Sequence, residues 1–214
     1  MALAFVAATA TGVSAQSYLL DNPANKGYFG IRASGEVSCP GKVEGFEMFK
    51  NGGGFEVGAI YNVPVVANFY IEPGLKLYYN TYGIKSIKGF YEKELTDGSV
   101  RKFGMRVPVN FGYHFDFTPE CKVYVFTGPE LEIGFTAKDH YNLKGVGSAS
   151  MNAYDKEGIP LNRVDCLWGF GVGVSYNQFY LGVSGAVGMC DMFDSEAGVS
   201  FKENRASFIL GYNF

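Results

Sequence analysis

Bulky apolar residues recur at every second position along most of this chain, and the positions between them carry glycine, amide or charge. Period two is the signature of strands with two unlike faces, and eight segments show it. They lie near 27–37, 53–62, 66–85, 99–116, 121–138, 163–177, 178–192 and 204–214. In the fourth, Phe103, Met105, Val107, Val109, Phe111, Tyr113 and Phe115 alternate with Gly104, Arg106, Pro108, Asn110, Gly112 and His114. The last keeps the pattern to the end, with Ala206, Phe208, Leu210, Tyr212 and Phe214 on one face. Glycine interrupts nearly every segment, which argues against helices.

The connections alternate in length. Long polar stretches near 38–52, 86–98, 139–162 and 193–203 are separated by short turns, "NVPVV", "DFTPE" and "YNQF". Short turns on one side and long loops on the other predict an all-β fold, an eight-stranded antiparallel up-and-down transmembrane β-barrel with short periplasmic turns and long extracellular loops. A soluble lipocalin-like ligand-binding barrel would share the strand pattern with its faces reversed. Volume separates the two, because on the order of fifty bulky side chains cannot enter an eight-stranded lumen. The glycine-rich parity suits a narrow interior, so the bulky parity is assigned to lipid.

Aromatics sharpen the assignment. Phe29, Tyr61, Phe69, Tyr113, Phe115, Tyr176, Phe179, Tyr212 and Phe214 fall at the short-turn ends, and Tyr79, Phe103, Phe135 and Trp168 toward the long-loop ends. Two such girdles are expected where rings meet lipid headgroups. The final strand has to close the barrel against the first. Its Phe208, Leu210, Tyr212 and Phe214 resemble a C-terminal signal read by outer-membrane assembly machinery.

The inward parity predicts a luminal charge network of Arg32, Glu56, Glu72, Lys76, Arg106, Glu130 and Glu132, with Glu36, Lys102, Asp165 and Arg205 on the same face. Unpaired charges in a confined lumen are costly, so they are expected to bridge one another, with Arg106 beside Glu72, Glu130 and Glu132. Such a network either plugs the interior or lines a narrow channel for small solutes or ions. A plug is the ordinary state of an eight-stranded lumen.

Composition removes other classes. With 214 residues, a net charge of -3 and a pI near 5.5, the chain is one domain without a basic nucleic-acid footprint. Residues 1–15, "MALAFVAATATGVSA", read as the apolar part of a secretory signal with small residues before Gln16, leaving 16–214 as the barrel domain. No Lys or Arg precedes that apolar run, and a short buried helix is the competing reading. Cys39, Cys121, Cys166 and Cys190 form no CxxC, and with only His114 and His140 they predict no metal site and no cofactor. The spacing assigns no disulfide, although an exported chain could form one. "GFGVGV" alternates like a strand and lacks the final glycine and helix of a dinucleotide site. Glu130 and Glu132 sit in a charge-balanced interior without a substrate cleft, so no enzyme is expected.

The stretches "KFGMRVPVNFGYHF", "VYVFTGPELEIGF", "GFGVGVSYNQFYLGVSGAVG" and "ASFILGYNF" resemble the outer-membrane β-barrel domain family of Bacteroidetes type, the PorT-like group. The resemblance implies an eight-stranded barrel in the outer membrane of a Gram-negative bacterium and carries over no catalytic residue. The expected partners are outer-membrane lipid, the assembly machinery and an extracellular partner of the long loops. The expected role is that of an envelope structural or loop-mediated interaction protein.

Overall fold

The computed structural model describes residues 26–41, 50–84, 95–143, 147–152, 154, 161–190 and 202–214. Among the described residues nine strands are formed: β1 (Tyr28–Pro40), β2 (Gly52–Val66), β3 (Phe69–Ile84), β4 (Leu95–Asp116), β5 (Cys121–Leu143), β6 (Gly147–Asn152), β7 (Val164–Tyr176), β8 (Phe179–Gly188) and β9 (Glu203–Asn213). Eight of them close into an antiparallel barrel in which β5 pairs with both β4 and β7, and β9 returns to pair with β1. Each barrel strand is thus hydrogen-bonded on both sides, and the sheet has no open edge in the wall. The expected signal segment, residues 1–15, lies outside the described residues.

Three details differ from the sequence pattern. The ninth strand, β6, falls inside the expected 139–162 loop and pairs only with the outer extension of β5. The turn expected within "NVPVV" is displaced, because β2 runs on to Val66 and the chain reverses at Ala67 and Asn68. Pro64, which has no N–H to give the ladder, is absorbed by a register shift between Pro64 and Val66. Ala67 takes the left-handed conformation that a tight hairpin requires (φ 50°), as Asn177 does between β7 and β8 (φ 53°). The third difference is that β4 begins at Leu95 and β5 continues to Leu143, so these two strands rise beyond the others on the long-loop side.

Burial follows parity and is inverted relative to a soluble protein. Arg106, Lys102, Glu36 and Glu56 are buried, while Phe55, Leu75, Phe170, Val183 and Leu210 stand exposed. The outward positions of β1, β2, β3, β7, β8 and β9 carry no Asp, Glu, Lys or Arg. With 13, 10 and 11 residues, β1, β8 and β9 have about the length a tilted strand needs to cross the hydrocarbon core.

The aromatic residues at the short-turn end form linked rows rather than scattered anchors. Phe179, Tyr212, Phe214 and Phe29 run across β8, β9 and β1 with ring centroids 5.6, 5.1 and 5.9 Å apart. Phe69, Tyr113 and Phe115 make a second row at 4.8 and 4.9 Å. At the long-loop side, Phe55 meets Tyr79 at 5.8 Å and Phe103 meets Phe135 at 5.7 Å. Trp168 faces outward, and its indole N–H donates to Thr127 Oγ1 at 2.8 Å. Thr127 in turn donates to the Gly169 carbonyl, so this polar pair on an apolar surface satisfies itself.

Candidate functional site: an ionic and aromatic plug in the lumen

Strand alternation sends one side chain in two into the lumen, and the residues arriving there sort into two layers along the barrel. The layer toward the long-loop side is ionic, and Arg106 from β4 is its centre. Its Nε donates to Glu132 at 2.8 Å, its Nη1 to Glu36 at 2.6 Å and to Glu56 at 3.0 Å, and its Nη2 to Glu36 at 3.1 Å. A guanidinium presents five donors in a rigid fork, and here the fork reaches carboxylates from β1, β2 and β5 at once. The same group stacks on the Tyr78 ring at 4.0 Å.

Other cations complete the layer. Lys76 binds Glu56 at 2.8 Å, and Lys102 lies 2.9 Å from both Glu132 and Glu203. Arg205 from β9 pairs with Glu130 and lies 3.5 Å from Glu36. Asn80 bridges Ser38 and Glu203, and Ser34 donates to Glu56 at 2.8 Å. Every strand of the barrel except β7 and β8 contributes a charged group to these contacts. Removing one member would leave its partners charged and buried, the costly half of the buried ion-pair balance.

The layer toward the short turns is aromatic. Tyr70, Tyr124 and Tyr180 meet edge to face at 5.8 Å in both steps, and His114 lies 5.9 Å from Tyr124. Ile209 and the half-buried Phe126 fill the space beside them. His114 Nδ1 contacts Asp116 at 3.1 Å, and Ser175 donates to the Tyr124 hydroxyl at 3.3 Å. Between the layers lies a cavity of about 40 Å³, bordered by Arg32, Glu72, Lys76, Asn110, Tyr180 and Ser184. A space of that size holds roughly three waters.

The inward glycines explain how such large groups fit. A Cβ at Gly112 would strike the Tyr70 ring, one at Gly173 the Tyr180 ring, and one at Gly134 the Tyr154 hydroxyl. Gly30 and Gly211 flank the Arg32 guanidinium in the same way. Each glycine is the seat of a large neighbour from another position.

Seven residues were expected to form one luminal network. Five of them, Glu56, Lys76, Arg106, Glu130 and Glu132, meet in the ionic layer, and Arg106 also lies 3.8 Å from Glu130. Arg32 and Glu72 do not join them. Arg32 reaches toward the aromatic layer, stacking on Tyr180 at 4.2 Å and donating to the Ile31 carbonyl. Glu72 accepts from Asn62 at 3.5 Å and does not touch Arg106. Register explains the separation: Glu72 is opposite Asn110, whereas Lys76, two inward positions further from the short turn, is opposite Arg106. Asp165 is buried and opposite Glu132, and its Oδ1 accepts no hydrogen bond.

Glu203 and the inward Tyr70, Tyr78, Tyr82 and Tyr180 were not anticipated. Tyr70, Tyr78 and Tyr82 share the parity of Glu72 and Lys76, and Glu203 that of Arg205, so the alternation contained the signal. Among the described residues, no group of three or more His, Cys, Asp or Glu is placed to hold a metal ion. At the end of β9, the Phe214 N–H donates to the Phe29 carbonyl at 2.8 Å, and Phe208 and Leu210 face outward.

Apolar side chains cover the wall and buried charges fill the interior. The chain is a membrane-spanning barrel with a filled polar lumen.

No protein-family model matches the barrel's sequence, and no curated protein sequence matches it. Among solved structures it is similar to Ail, the attachment invasion locus protein of Yersinia pestis, with 15% identity over 89% of this chain and 100% of that one, at a TM-score of 0.49. Neisserial surface protein A gives 13% identity, 89% and 100% coverage and a TM-score of 0.46. The outer membrane protein OprG from Pseudomonas aeruginosa gives 13% identity, 88% and 96% coverage and a TM-score of 0.46.

Proposed function

We propose that the barrel is a non-enzymatic protein of the outer membrane of a Gram-negative bacterium, closed to solutes and acting through its wall and outer loops. The observation that carries this reading is the ionic layer. Arg106 and Lys102 are almost completely buried, and each is held by carboxylates from separate strands. A conducting path would have to pull such pairs apart, at several kcal/mol for each uncompensated ion. A second seal of packed tyrosines lies behind that layer. The role is then structural in the envelope, or one of contact with an external partner through the loops that join the strands on the long-loop side. The resemblance to the PorT-like group supports this placement, as does the apolar C-terminal strand ending in Tyr212 and Phe214, which would be read by assembly machinery after export through a cleaved signal segment.

The test is single-channel conductance of refolded protein in a planar lipid bilayer, with insertion established by protease protection. A silent trace at full insertion is the expected outcome. Discrete, reproducible steps would replace this reading by the narrow channel, and substitutions at Arg32, Arg106 and Glu130 would then change its ion selectivity.

A further inference from the structure

At the long-loop end of the β7–β8 hairpin the two strands do not part cleanly. The N–H groups of Met189 and Cys190 both donate to the Cys166 carbonyl, at 2.8 and 3.4 Å. Two consecutive residues therefore oppose a single one, which is the geometry of a β-bulge. The bulge brings the second of the two residues, Cys190, alongside Cys166 on the neighbouring strand. Neighbouring strands lie about 4.7–4.9 Å apart, within the Cα separation of about 4.4–6.8 Å that a disulfide spans. Cys190 is exposed and Cys166 half-buried on the outward parity, so a thiol reagent can reach the pair.

We propose that Cys166 and Cys190 are a disulfide site that staples the outer end of the β7–β8 hairpin. The oxidant is a donor disulfide, a protein one in the cell or glutathione disulfide in solution. One thiolate attacks the donor's S–S bond and forms a mixed disulfide, releasing the first donor thiol. The second thiolate attacks that intermediate, closes the Cys166–Cys190 bond and releases the second donor thiol, so two electrons pass to the donor. Cys121 stands at the short-turn end of β5, and Cys39 lies opposite Asn204 on β1, two strands from β8. Neither is placed to compete. The staple fixes the β7–β8 register at its outer end, where Leu167 stands opposite Gly188 and Trp168 opposite Val187. It is independent of whether the lumen conducts.

The experiment refolds the full chain into detergent with a reduced and oxidised glutathione couple. It is then quenched with acid, alkylated and digested for mass spectrometry. A linked peptide pair carrying Cys166 and Cys190 is expected, with Cys39 and Cys121 alkylated, and the C39S/C121S variant should give the same link. Alkylation of both Cys166 and Cys190, a glutathione adduct that does not resolve, or a different pairing would overturn the proposal. The oxidised C190S variant should unfold at the midpoint of reduced wild-type protein, about 10 °C below oxidised wild type. Coincident midpoints for oxidised and reduced wild type would show that the bond staples nothing.

Discussion

Arg106 shows how much a single side chain can organise when three other strands aim carboxylates at it in the lumen. Replacing it with Gln leaves Glu36, Glu56 and Glu132 facing one another without their shared cation. The expected loss is about 3–5 kcal/mol, read as a lower urea midpoint in a lipid-reconstituted unfolding experiment. An unchanged midpoint would mean that the fork contributes no net stability. Gly173 tests the opposite situation, a place where nothing can be added. Gly173→Val drives a branched side chain into the Tyr180 ring and should cost about 1–3 kcal/mol. Tyr180→Ala in the same chain should recover part of that loss, which a general dislike of valine at that point would not allow. At this scale the sequence was legible in sign and illegible in partner. Parity placed Arg32 and Glu72 inside, but which inward groups meet depends on strand stagger, and the alternation is blind to stagger.

Among the elements, β9 carries the most consequence. It pairs with β8 on one side and β1 on the other, and its last residues complete the row Phe179–Tyr212–Phe214–Phe29. Deleting Phe214 removes two ring contacts and one backbone bond, for about 1–3 kcal/mol. The expected result is a smaller heat-modifiable, barrel-form band on unboiled gels after refolding, against the full-length chain in the same lipid. Eight strand segments could be read from period two, because each carries one greasy face and one narrow face along its whole length. The turn at Ala67–Asn68 could not, since Pro64 looks like a chain reversal and is in fact taken up as an irregularity inside β2. Strand β6 was also missed, because "GSASMN" has no alternation of bulk to betray it.

For the whole molecule, the decisive property is that its apolar surface is outside. The chain has a single tryptophan, Trp168, and it stands on that surface. Bromines placed along the acyl chains of the host lipid should quench its fluorescence strongly, while aqueous acrylamide should quench it weakly. The reverse ranking would turn the barrel inside out and return the soluble, ligand-binding alternative.

Closure of the sheet between its first and last strands also sets an order of events in time. The partner of β1 on one side is about 170 residues away along the chain, so the wall stays open until the final strand arrives, and contacts of that range form slowly. That same strand brings Arg205 to Glu130 and Glu203 to Lys102. The interior therefore gains these counter-ions in the step that seals the wall. An unfinished barrel would hold both an open strand edge and unmatched charge, so a chain that stalls before β9 has every reason to come apart again rather than persist half-built.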